Sequence, residues 1–179
     1  MSDTTPQPVS NGYRKYVKSK IKFNTFNTFN NVEVKIKKTD INAFIPKKGS
    51  AGAGAYDLYA PHNIIVNAHS RTIVNIGIAI ELPQGYVADI RPRSGYSAKG
   101  FASADDGRYD ADVLLGTIDS DYRGDIGVII RNNGEEFMIG RKQRIAQMLI
   151  HKSEDVEFVE TEDLTKTERE QKGYGSSGN

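Results

Sequence analysis

The chain has 179 residues, of which 37% are hydrophobic and 26% charged, with a formal net charge of +1. This composition suits a folded, solvated domain and excludes a disordered chain, and the near-neutral balance gives no general attraction to nucleic acid or to an anionic membrane, so any anion site must be local. There is no cysteine, hence no disulfide or thiolate chemistry, and His62, His69 and His151 fall in no zinc-ligand spacing.

The N-terminal stretch, residues 1–31, reads as an appendage. It is polar, carries Pro6 and Pro8, then Arg14, Lys15, Lys18, Lys20 and Lys22, then an Asn/Thr/Phe run from Asn24 to Asn31. A partly disordered polar and basic extension is expected, with a nucleic-acid, membrane-surface or targeting arm as the alternative. Met1 to Ser10 lack an apolar signal-peptide core and no run of about 18 apolar residues occurs, so an intracellular, soluble protein is expected, in a compartment the residues do not name.

From Val32 the period is that of strands. Val32, Val34 and Ile36 alternate with charged residues and predict a half-buried strand. Ile76, Ile78, Ile80 and Leu82 predict another, stopped by Pro83-Gln84-Gly85 and followed by Tyr86 to Ile90. Gly127 to Ile130 leads to Asn132-Asn133-Gly134, a hairpin signal. Ile145 to Ile150 and Val156 to Val159 predict further strands, and Thr161 to Arg169 a polar helical turn. Short strands with frequent turns over residues 32–160 predict an all-β domain, a sandwich, jelly roll or barrel. Residues 161–179, charged and then glycine-rich, read as a flexible C-terminal arm.

Two segments carry chemistry. Arg93-Ser94-Gly95 combines a guanidinium, a hydroxyl and open backbone N–H groups, a set suited to phosphate. Gly116 to Gly124 fits a hairpin whose exposed end presents Asp119 and the ring of Tyr122.

These segments stand in an order that resembles the trimeric all-β dUTPases, across roughly Val32 to Asn179. Five motifs match: Ala53 to Ala60; Arg91 to Gly95; Gly116 to Gly124; Gly140 to Gln147; and Arg169 with Gly173 to Gly178. The resemblance implies a jelly-roll-like distorted barrel of the β-clip type, a homotrimer, and a mobile arm carrying the last motif. It implies a dUTP diphosphatase that hydrolyses dUTP to dUMP and pyrophosphate, limiting uracil in DNA and supplying dUMP for thymidylate synthesis.

It also implies roles. Asp119 would orient and deprotonate the attacking water. Arg93, Ser94, Gln147 and Arg169 would hold the phosphates, with the Ser94 hydroxyl on the α–β region and Arg169 acting as an arginine finger; Gly95 would let the backbone approach. The Tyr122 ring would pack under deoxyribose and exclude a ribose hydroxyl. Main-chain groups of a hairpin from Val113 through Thr117 and Ile118 would pair with uracil, Val113 itself being unable to act as the asparagine some members use there; Gly127 would complete that side. Tyr174 would stack on the base, with Gly175, Ser176 and Ser177 closing over the substrate. Mg2+ is implied, held mainly by the triphosphate, with Asp57 reaching it through water.

Two departures from the family pattern bear on function. Glu170 and Lys172 replace glycines, and Glu170 adds negative charge beside the phosphate site, which predicts slower or weaker arm closure. Phe101 to Asp112 is several residues longer than the usual link; its four aspartates lack EF-hand spacing, so a solvated loop or an interaction surface is expected. The rival readings are a dCTP deaminase on the same fold and a non-enzymatic regulator that binds a protein through the 101–112 loop or the N-terminal tail. No direct nucleic-acid or membrane partner is expected.

Overall fold

A computed structural model describes residues 31–168. The N-terminal extension therefore lies outside the described residues except for Asn31, and so does the arm from Arg169 onward. In chain order the elements are β1 (Lys35–Lys38), β2 (Lys47–Lys48), β3 (Tyr56–Tyr59), β4 (Ile64–Val66), β5 (Arg71–Asn75), β6 (Ile78–Glu81) and β7 (Tyr86–Arg91). A short helix α1 (Ser94–Lys99) follows, then β8 (Phe101–Ala102), β9 (Arg108–Tyr109), β10 (Ala111–Val113), β11 (Gly116–Ile118), β12 (Gly127–Asn132), β13 (Phe137–Ile139) and β14 (Arg144–Lys152).

Among the described residues the strands make five sheets, every pairing antiparallel. The largest runs β11-β7-β14-β3-β2; a second runs β10-β12-β5; β1-β6, β13-β4 and β8-β9 are pairs. Consecutive strands mostly belong to different sheets, as β5, β6 and β7 do, so the connections cross between layers as in a jelly roll. The all-β expectation follows from the two-residue period. β7 turns Ala88 and Ile90 inward and Asp89 and Arg91 outward, and β12 buries Val128, Ile130 and Asn132. One core receives Leu58, Val74, Ile78, Ile90, Val128 and Met148 from different strands, and that shared burial closes the sheets on one another.

Several local expectations need correction. The strand expected at Val32 to Ile36 starts only at Lys35 and is exposed along its length, because it pairs on one edge with β6 and only Val34 reaches the core. Val156 to Val159 form no strand and are exposed; 161–168 form no helix. Asn132-Asn133-Gly134 does not join a hairpin, since β13 pairs with β4. The buried Asn132 explains this: its amide donates to the carbonyls of Asn67 and Glu135, at 2.9 and 2.7 Å, and its oxygen accepts from Gly134 N–H at 3.0 Å. Those bonds turn the chain away from β12. The Pro83-Gln84-Gly85 turn does form, closed by Tyr86 N–H on the Pro83 carbonyl at 3.1 Å, with Gly85 at φ +77°. No described helix is long and apolar enough to cross a membrane.

Candidate active site

The site is organised by the register of three neighbouring strands. Gln147 on β14 stands opposite Asp57 on β3 and, on its other side, opposite Arg91 on β7. Residues directly opposite share a sheet face, so these three form one row on the outward side. Beyond Arg91 the chain passes through Pro92 to Arg93, whose extended backbone (φ −78°, ψ 137°) caps α1. Arg93 therefore folds back over the row, and its Nε donates to Asp57 Oδ1 at 3.2 Å. Arg144 Nη1 donates to Asp57 Oδ2 at 3.3 Å. Gln147 Nε2 donates to the Pro92 carbonyl at 2.9 Å and so fixes the turn that carries Arg93 and Ser94.

These residues line a cavity of about 640 Å³, joined by Ser94 and Gly95. A Cβ built on Gly95 meets nothing within 4 Å, so the protein itself does not demand glycine there; the open space lies where a ligand would approach. Asp57 is the one carboxylate among the described lining residues, and both its oxygens already hold guanidinium groups. The lining is thus rich in cations, with planar N–H donors suited to phosphate oxygens.

Outward on the same sheet, Asp89 accepts from Arg91 at 2.9 Å, from Thr117 at 3.2 Å, and meets His151 Nε2 at 3.1 Å. The Arg91 guanidinium, helped by His151 and Thr117, holds the Asp89 carboxyl below its usual range against the opposing effect of burial. Thr117, expected at the base site, spends its hydroxyl on this cluster.

The third motif forms a turn in which Tyr122 N–H donates to the Asp119 carbonyl at 3.1 Å. Arg123 clasps it, its Nη1 donating to the carbonyls of Ser120 and Tyr122 at 2.6 and 2.8 Å. The Tyr122 ring folds over Gly124, where any Cβ would collide with the phenol oxygen, and its hydroxyl donates to the Asp125 carbonyl at 3.0 Å. Tyr122 is 46% exposed. Asp125 Oδ1 is buried without a hydrogen-bond partner among the described residues.

Within one chain the two halves of the expected site stay apart. Ile118 pairs with Ala88, which puts Asp119 level with Val87. That is four residues short of Arg91 along β7, about 13 Å at the rise of a strand. Neither Asp119 nor Tyr122 lines the cavity that holds Arg93, Ser94 and Gln147.

The segment from Val113 to Ile118 is not a hairpin, and neither is Gly116 to Gly124. β10 pairs with β12, β11 pairs with β7, and β12 lies in the second sheet, so the chain changes sheet at Leu114-Leu115 and again after Ile118. Val113 and Ile118 point into the core, leaving only their backbone for a ligand. β11 is an edge strand, however, with one row of backbone donors and acceptors unpaired by any strand among the described residues. Gly127 opens β12 against Ile73, where a Cβ would come within 2.7 Å of a methyl carbon; its need is for packing. Arg169, Tyr174, Gly175, Ser176 and Ser177 lie outside the described residues.

Sequence reasoning missed Arg144, Arg123, Lys99 and Arg108. Arg144 and Arg123 stand inside matched motifs, which is a signal; Arg108 stands in the long 101–112 link, a weaker one, and Lys99 has none. No group of three or more described His, Asp or Glu side chains is placed to hold a metal. Asp57 fits a magnesium ion reached through water, because direct ligation would displace an arginine from its carboxylate.

The dUTPase family model matches residues 42–178. A deoxyuridine 5'-triphosphate nucleotidohydrolase of Hydrogenobaculum is 42% identical over 147 residues, covering 80% of this chain and 96% of that protein. Among solved structures, a point-mutant dUTPase of Staphylococcus bacteriophage 80alpha with dUpNHpp superposes with a TM-score of 0.73 at 23% identity, covering 82% of this chain and 99% of that one. A mutant dUTPase from phage phi11 of S. aureus, described with a structural Mg(II) ion, reaches a TM-score of 0.65 at 19% identity, covering 73% and 97%. The match over most of the chain, together with the arginine-lined cavity and the clasped turn after β11, means that this protein belongs to the dUTPase family.

Proposed function

We propose that this chain hydrolyses dUTP to dUMP and pyrophosphate by attack of water on the α-phosphorus. The observation that carries the reading is the cation-rich cavity built on Asp57, Arg93, Arg144 and Gln147, an electrostatic cradle for a polyphosphate. Asp119 takes a proton as water forms its bond to phosphorus, and the bond from phosphorus to the bridging oxygen breaks. Arg93 and the Ser94 hydroxyl stabilise charge on the departing pyrophosphate, aided by Arg169 from the arm. Magnesium carried by the triphosphate would neutralise phosphate oxygens, with Asp57 beside it across water. The unpaired edge of β11 offers main-chain groups to uracil, and cytosine, with donor and acceptor reversed, would leave them unpaired. The exposed Tyr122 face receives deoxyribose and excludes a ribose hydroxyl. The product feeds thymidylate synthesis, and removal of the substrate keeps uracil out of DNA.

A homotrimer completes this reading. Asp119 and Tyr122 do not line the arginine-rich cavity of their own chain, and in this reading a neighbour's cavity meets them. Val156 and Phe158 are 68% and 94% exposed, apolar side chains left uncovered among the described residues. Arm residues 161–179 would then cross to a neighbouring site. The test is pyrophosphate release from dUTP, dCTP and UTP with magnesium. Release from dUTP at a rate far above the other two is expected; release from none, or ammonia from dCTP, refutes the proposal.

A further inference from the structure

Resting on that functional reading, we propose that Arg108, on the hairpin β8–β9, is a further binding residue for the phosphate chain of the substrate. Charge gives the first reason. The described lining of the cavity has five cations, Arg91, Arg93, Lys99, Arg108 and Arg144, against the carboxylate of Asp57. Three of them already hold a carboxylate: Arg93 and Arg144 share Asp57, and Arg91 holds Asp89. Lys99 and Arg108 make no ion pair with a described residue. A polyphosphate brings the anions these two lack, with no existing pair broken to receive it.

Of the two, Arg108 is the one held in place. β9 pairs with β8 through Phe101↔Tyr109 and Ala102↔Arg108. Adjacent strand residues face opposite ways, and Tyr109 turns inward to stack on Phe137 with ring centroids 4.7 Å apart, so Arg108 faces the cavity side. Phe101 is fully buried between Tyr96 of α1 and Phe137, which ties the hairpin to the helix that starts at Ser94. At the tip, Ser103 N–H donates to the Gly107 carbonyl at 3.1 Å and Ala104 N–H to the Met138 carbonyl at 2.8 Å. Gly100, at φ +80°, lies so close that a Cβ would be 2.8 Å from the Tyr109 carbonyl oxygen. Arg108 Nη1 makes one long bond, 3.4 Å, to the Gly100 carbonyl. A guanidinium has about five N–H donors, so the fork remains free for oxygen anions.

None of the loop's four aspartates forms an ion pair with it among the described residues, and two are engaged elsewhere. Asp105 accepts from Ser103 and is held below its usual carboxylate range by that hydroxyl and by Gly107 N–H, and Asp110 accepts from Asn133. The extra length of this segment thus supplies a braced cation to the phosphate cavity.

The experiment compares wild type, Arg108→Ala and Arg108→Lys in full-length protein. It measures KM and kcat for dUTP, the dissociation constant of inorganic tripolyphosphate by calorimetry, and the thermal midpoint. Arg108→Ala should raise both KM and the tripolyphosphate constant about tenfold, the effect of losing one charge-assisted hydrogen bond, with most of the change in KM. Arg108→Lys should recover part of the loss, and the thermal midpoint should stay put because the side chain is exposed. Unchanged tripolyphosphate affinity overturns the proposal, as does a fall in kcat that comes with a lowered midpoint alone. Because tripolyphosphate binding needs no turnover, a wild type that binds it but leaves dUTP intact would refute the functional reading while Arg108 is still tested.

Discussion

Arg144 and Gln147 lie three residues apart on one strand, yet both face the same cavity. A regular strand would put them on opposite faces. The pairing of β14 with β3 shifts between Arg144, opposite Tyr59, and Ala146, opposite Leu58. Ile145 is the extra residue, and its side chain is fully buried beside that of Ala146. The bulge reverses the parity of the strand and brings Arg144 round to Asp57.

Arg144→Ala should therefore weaken substrate binding without unfolding the protein. Asp57 would keep Arg93 alone, and the cavity would lose one cation. KM for dUTP should rise about tenfold, while stability changes by less than about 1 kcal/mol because the Arg144 side chain is half exposed and Asp57 keeps its pair with Arg93. Steady-state kinetics with urea unfolding reads both; an unchanged KM would show that Arg144 only orders Asp57.

Asp119→Asn keeps the size of the side chain and removes its basicity. The turn is closed by backbone bonds and by Arg123, so the fold should survive. Turnover should fall by about 10²-fold or more while dUpNHpp affinity stays close to wild type. Retained turnover would displace Asp119 as the base.

The Asp89 cluster predicts a pH effect with a definite sign. Its carboxyl titrates below the usual range in the folded state, chiefly through Arg91. The stabilisation is then complete above the ordinary carboxylate value of about 4, and fades as pH falls through the lower folded value. Asp89→Asn should lower the thermal midpoint near neutrality and flatten its decline below pH of about 4. Parallel acid limbs in both proteins would refute the assignment.

Cleavage after Leu164 removes the arm that carries Arg169 and Tyr174 but leaves every described strand intact. Light scattering should give the same assembly state as the intact chain, circular dichroism an unaltered β spectrum, and most turnover should be gone. Full activity of the truncated protein would exclude the arm from catalysis. In the intact chain, Glu170→Gly should speed turnover by relieving repulsion between the arm and the phosphates.

Fold class and family were legible in residue order alone, and so were Arg93, Ser94 and Gln147, which the fold brings to one cavity. Strand alternation is a local property, as in Tyr86 to Ile90, and motif order survives without knowledge of contacts. Where alternation met no partner it misled: Val156 to Val159 has the residue types of a strand, but strands need a neighbour to pair with, and within one chain none is offered among the described residues. Tertiary structure alone decided which strands share a sheet. It turned three expected hairpins into crossings between sheets and set Asp119 apart from the arginine-lined cavity of its own chain. It also chose the faces. Arg144 lines the cavity because one residue bulges, and Arg108 does so because a loop is stapled by four aromatic rings. Both placements come from packing between segments far apart in the chain, which residue order does not encode locally.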